Sequence, residues 1–124
     1  MIKFRRLIKS FIYAFRGLVK TFREEQNFKI QVAIGALVVG AGLFLKISRL
    51  EWCIIILSIA SVVLMEIANS AVERITDVLK PRIDSYVKEI KDVTAAAVML
   101  ASLVAAIIGV IIFYPHLVKY FFVL

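Results

Sequence analysis

The 124-residue sequence contains one cysteine, Cys53, one histidine, His116, and two prolines, Pro81 and Pro115. A single cysteine excludes an internal disulfide and a cysteine-based zinc site, and it leaves Cys53 to apolar packing. His116, beyond the last long apolar run, reads as an interfacial residue and not as a ligand. There is no Gly-x-x-x-x-Gly-Lys phosphate loop and no kinase-type glycine-rich loop. Acidic residues are also scarce: nine against sixteen basic, for a formal charge of +7. The basic residues flank apolar runs, which points to anionic lipid or phosphate as partner and away from nucleic acid. The N-terminal segment is charged and amphipathic, so no cleavable signal peptide is expected and the spans themselves must direct insertion.

What the chain has in excess is apolar residues, 62% of the total, with a mean hydropathy of +0.93. That places it in the membrane class. Its length allows three spans and a flanking helix, so residues 1–124 are one all-α domain. A bundle this small has little interior in which to hold a ligand, and an oligomer is expected.

Residues 2–28 read as an amphipathic helix. Phe4, Leu7, Ile8, Phe11, Ile12, Phe15, Leu18, Val19 and Phe22 recur with helical period, and Lys3, Arg5, Arg6, Lys9, Arg16, Lys20 and Arg23 fill the polar and flanking positions. Such a helix lies along a membrane surface. Arg6 and Tyr13, seven residues apart, share a face from which both can reach a nucleotide. The first span is expected at about 30–47, with Gly35, Gly40 and Gly42 permitting close helix contact. A short polar turn follows, and Trp52 opens a second span at about 52–67 that continues as a polar-striped helix to about Leu79, where Pro81 ends it. A charged connection, 80–89, leads to a third span at about 93–115. There Ala97, Ala101, Ala105 and Gly109 repeat every four residues as a small-residue packing seam. Tyr120, Phe121 and Phe122 suit the opposite interface. Thirteen of the sixteen basic residues lie before the first span or between the second and third, which places those segments in the cytoplasm.

The chemistry is concentrated where the second span ends. Glu66, Asn69, Glu73 and Asp77 fall within roughly 80° of helix circumference. Three carboxylates on one stripe repel each other unless a positive charge sits among them, and a hard cation such as Mg²⁺ carrying phosphates would suit. Glu66 directly follows Ser61-Val62-Val63-Leu64-Met65, and an ionisable group beside hydrocarbon is expensive and usually has a task. Glu24 and Glu25 sit at the same boundary, which makes one of them a candidate metal ligand. Lys91-Asp92 is the last polar pair before the third span, where a lysine can neutralise phosphate.

The run Glu66-Ile67-Ala68-Asn69-Ser70-Ala71-Val72-Glu73, then Asp77, then Lys91-Asp92-Val93-Thr94-Ala95-Ala96-Ala97 closely resembles the small bacterial integral-membrane diacylglycerol kinases and their undecaprenol kinase relatives. Glu24-Glu25-Gln26-Asn27-Phe28-Lys29-Ile30-Gln31 looks like the corresponding stretch of the undecaprenol kinase branch. The resemblance implies a homotrimer in the bacterial inner membrane with active sites shared between subunits, transferring the γ-phosphate of ATP to a lipid hydroxyl. It further implies Glu66 as general base and Glu25 and Glu73 as Mg²⁺ ligands. Asn69, Asp77, Lys91 and Asp92, with Arg6 and Tyr13, would belong to the nucleotide site. Ala14 stands where one branch has serine, and Gln31 where the undecaprenol branch often has histidine. Undecaprenol and diacylglycerol both stay open as substrate, as do nucleotide contacts within 80–89. The rival reading is a small proton-coupled transporter using Glu66, which would need that carboxylate near the bilayer centre.

Overall fold

A computed structural model describes residues 1–79 and 84–123. Four helices follow in order: α1 (Phe4–Glu24), α2 (Gln26–Leu45), α3 (Arg49–Leu79) and α4 (Asp84–Phe122). No strand occurs among the described residues, so the all-α expectation holds. The helices α2, α3 and α4 are each long and apolar enough to cross a membrane.

The amphipathic helix, expected over 2–28, spans Phe4–Glu24. Glu25 adopts an extended conformation (φ −104°, ψ 111°) and separates α1 from α2. Its N–H still donates to the Thr21 carbonyl, and its carbonyl accepts from the Lys29 N–H, so one residue closes one helix and opens the next. Phe22 and Phe28 meet edge to face across this break, with ring centroids 6.3 Å apart. The apolar face of α1 (Phe4, Ile8, Phe11 and Phe15 among others) is exposed in the single chain, as a helix lying on lipid requires.

At the other end of α2, Lys46 takes a left-handed conformation (φ 53°), and the Ile47 N–H returns to the Gly42 carbonyl. This is a glycine-type helix stop made without glycine. Ser48 then caps α3: its backbone N–H donates to Glu51 Oε1 at 2.9 Å, and the Glu51 N–H donates to Ser48 Oγ at 3.2 Å. This reciprocal box starts α3 at Arg49, ahead of Trp52.

The helix α4 is also longer than expected. It begins at Asp84, so much of the supposed charged connection is helical, and it runs through Pro115 to Phe122. Proline there forfeits one backbone hydrogen bond, but tertiary contacts hold the segment beyond it. His116 Nε2 lies 3.0 Å from Glu51 Oε1, and the Tyr120 ring packs on Phe44 at 5.2 Å. His116 is thus a tie between α4 and the start of α3. Pro81 as helix terminator and Arg82 as a nucleotide contact lie outside the described residues.

A small core closes this end. Ile47, Ile55 and Ile112 are buried, with Trp52, Ile59, Ile108 and Phe113 packed around them. Gly42 is buried against the indole of Trp52. Ala101 and Ala105 of the small-residue seam line a groove against α3 of the same chain, with Leu57 and Ser58, and Ala105 and Gly109 line another of about 310 Å³ between α2, α3 and α4. Cys53 is exposed on α3 and does not pack inside the chain.

Candidate functional site

With a rise of 1.5 Å per residue and a hydrocarbon core of about 30 Å, α3 needs about 20 residues to cross. Counted from Arg49, that distance is used up near Ala68. Glu66 and Asn69 therefore stand where the helix leaves the apolar layer, and Glu73 and Asp77 stand on the turns beyond it.

Glu66 is 6% exposed and makes no hydrogen bond or ion pair among the described residues. The carboxylates of Glu73 and Glu25 are close enough to act on it electrostatically. Glu73 is half-buried and accepts from Asn69 Nδ2 at 3.3 Å. That bond leaves Asn69 Oδ1 buried without a partner among the described residues. An orphaned acceptor beside repelling carboxylates is costly unless a donor or cation arrives.

Glu25 reaches the same place from the break between α1 and α2. Its Oε1 accepts from Ser70 Oγ at 3.1 Å, across 45 residues of sequence. Arg74 donates from Nη1 to Ser70 Oγ at 2.9 Å and from Nη2 to Glu24 Oε2 at 2.7 Å. Ser70 and Arg74 were not singled out from the sequence. Their four-residue spacing on α3, opposite two consecutive glutamates, was the available signal. Lys91 of α4 pairs with Asp77 of α3, while Asp92 is exposed next to it.

Glu25, Glu66, Asn69 and Glu73 therefore gather at one place, and Asp77 and Lys91 form a pair on the same side of the bundle. Arg6 and Tyr13 do not join them within one chain. Both are exposed on α1, and at 1.5 Å per residue they lie about 27 and 17 Å along its axis from Glu24. The Tyr13 ring instead carries the Arg16 guanidinium 5.9 Å from its centroid.

Among the described residues no three His, Cys, Asp or Glu side chains come close enough to hold a metal ion unaided. Mg²⁺ is typically held by one or two carboxylates together with substrate phosphates. The residues present fit such an ion: Glu25 and Glu73, held on the neighbouring residues Ser70 and Asn69, and an Asn69 oxygen with no partner among the described residues.

Residues 12–113 match the family model for prokaryotic diacylglycerol kinase. The chain is 36% identical to the undecaprenol kinase of Bacillus subtilis over 90% of its own length and 91% of the relative's. It is 30% identical to the diacylglycerol kinase of Synechocystis, over 91% of its length and 65% of the relative's. With the diacylglycerol kinase of Escherichia coli K12 it shares 29% identity over 91% and 93%. The transporter reading is set aside by these matches. A membrane-embedded helical chain with a buried carboxylate where its second span ends, matched over most of its length by lipid kinases, belongs to the prokaryotic diacylglycerol kinase family and is itself a lipid kinase.

Proposed function

We propose that the chain phosphorylates undecaprenol or diacylglycerol at the cytoplasmic face of the bacterial inner membrane, using ATP with Mg²⁺. The observation that carries this reading is Glu66. It is a carboxylate 6% exposed, at the level where α3 leaves the apolar layer, with no partner among the described residues. A lipid alcohol arrives at that level with its chain still in hydrocarbon.

In the proposed step, Glu66 accepts the hydroxyl proton as the lipid oxygen bonds to the γ-phosphorus. The bond from that phosphorus to the bridging oxygen of ADP breaks, giving lipid phosphate and ADP. Glu25 and Glu73 would hold Mg²⁺, with Asn69 Oδ1 free to add an oxygen or to accept from a donor on the nucleotide. When bound, the ion would offset negative charge on the phosphates. Asp77 keeps Lys91 at the edge of the site, where its ammonium can meet the nucleotide's phosphates, with Asp92 alongside. Arg6 and Tyr13 are out of reach along α1, so their part in the nucleotide site requires a neighbouring subunit. That supports an oligomer with shared sites, which we take to be the homotrimer.

The excess of basic residues before α2 and between α3 and α4 supports the cytoplasmic placement. The test is purified protein with Mg²⁺, labelled ATP and a panel of lipid alcohols that includes undecaprenol and diacylglycerol. Labelled lipid from one of the two identifies the substrate. No labelled lipid from any alcohol would refute the proposal.

A further inference from the structure

We propose that Arg74 is a positioning residue that fixes Glu25 for metal binding by orienting the Ser70 hydroxyl. The proposal rests on the reading of Glu25 as a metal ligand. Its starting point is what the other hydroxyls in these helices do. Ser10, Thr21, Ser58 and Ser61 each donate to the carbonyl four residues earlier in their own helix. That local bond is the default for a serine or threonine within a helix. Ser70 departs from it: although 3% exposed and mid-helix, it donates instead to Glu25 Oε1 at 3.1 Å.

Arg74 supplies the reason. It lies one turn beyond Ser70 and donates to Oγ at 2.9 Å. A hydroxyl has a single hydrogen and two acceptor sites. With one acceptor site taken by a guanidinium N–H, the hydroxyl hydrogen is free to point away, toward Glu25. The cation also polarises the hydroxyl and strengthens its donation. The second arm of the same guanidinium holds Glu24 Oε2 at 2.7 Å. One planar fork therefore grips the last residue of α1 directly and, through Ser70, the carboxylate that follows it. Both are needed because Glu25 is the extended residue between two helices, and its own backbone does not hold its side chain on α3.

The ion pair with Glu24 alone would carry little, since both side chains are about half exposed. The relay runs through the buried Ser70 hydroxyl, and it is what makes Arg74 matter to the site. Without Arg74, the Ser70 hydroxyl is expected to return to the Glu66 carbonyl and release Glu25.

The test uses the full-length protein in detergent with Mn²⁺ as probe and a non-hydrolysable ATP analogue, with free Mn²⁺ counted by electron paramagnetic resonance. Losing an outer partner of a metal-holding side chain typically costs 10- to 100-fold in metal affinity. Arg74→Ala and Ser70→Ala are each expected to weaken Mn²⁺ binding about tenfold, and the double variant to be no weaker than either, because both act on one bond. In a Glu25→Gln background, Arg74→Ala should add nothing. If Arg74→Ala fails to purify folded, Ser70→Ala, which removes only a hydroxyl, and its combination with Glu25→Gln carry the test. Weakened binding in Glu25→Gln with parental affinity in Arg74→Ala or Ser70→Ala would overturn the proposal. So would fully additive losses, which would place Arg74 directly on the nucleotide. Equal affinity in the parent and Glu25→Gln would instead remove the metal role of Glu25 on which the proposal stands.

Discussion

Replacing Gly42 by alanine tests how closely α2 and α3 are fitted at the end remote from the carboxylates. A Cβ at Gly42 would lie 2.8 Å from Trp52 Cη2, 3.0 Å from Trp52 Cζ2 and 3.1 Å from Ile47 Cδ1. Carbon atoms prefer separations of about 3.5–4.0 Å, so the indole must retreat by roughly 0.7 Å or more. It has little room, because Trp52 packs on the cluster of Ile47, Ile55 and Ile112. Overpacking of this kind costs about 1–3 kcal/mol. Against it stands a gain of about 1 kcal/mol from replacing a helical glycine by alanine. Gly40 provides the control: it lies in the same helix, and a Cβ there meets nothing within 4 Å. Gly40→Ala should therefore show the propensity gain alone, and Gly42→Ala should be less stable than Gly40→Ala by about 1–3 kcal/mol. Trp52 is the only tryptophan, so its emission during unfolding in detergent reports both stability and the displaced ring. Equal stability of the two variants, with Trp52 emission unchanged in both, would refute the packing described for this end.

Two further outcomes follow from the same geometry. Lys46 holds a left-handed conformation that glycine adopts without penalty, so Lys46→Gly should stabilise the chain by about 1 kcal/mol, measured by the same unfolding assay. Glu25→Gln and Glu73→Gln should each weaken binding of Mg²⁺ with a non-hydrolysable ATP analogue, since each removes an anionic oxygen; unchanged calorimetric affinity in both would dismiss the metal assignment.

The parts of this arrangement that follow one helix were legible in the sequence. Glu66, Asn69, Glu73 and Asp77 share a face because helical period alone puts them there, and the apolar run before Glu66 sets its depth. The parts that depend on contact between distant residues were not. Nothing local in Glu24-Glu25-Gln26 demands a break, since all three residues are compatible with a helix. The bends that bring Glu25 to Ser70 and Glu24 to Arg74 are seen only once α3 is beside them. The helix beyond Pro115 depends on distant contacts in the same way. The local signal of Pro115 is to stop a helix, but His116 on Glu51 and Tyr120 on Phe44 hold the chain helical past it. Ser48 and Glu51 carried a capping-box spacing that would have started α3 at Arg49, but Trp52 as an interface marker drew the boundary later. The small-residue seam is legible as a face of α4, and within one chain Ala101 and Ala105 line a groove against α3. The open groove at Gly109 depends on how three helices splay, which spacing along one of them does not encode.

The proposed mechanism stands or falls with Glu66 as the base of the transfer. Glu66→Gln keeps the shape of the side chain and removes its basicity. The decisive measurement is lipid phosphorylation, with the substrate identified from the panel, set beside nucleotide affinity in parent and variant. A positioned general base contributes typically 10² to 10⁴ in rate, so turnover should fall by about that factor while binding of the Mg²⁺ nucleotide persists through Glu25 and Glu73. Turnover near the parental value would contradict the account. Loss of nucleotide binding together with turnover would also contradict it, by making Glu66 a ligand of the phosphate site and not its base.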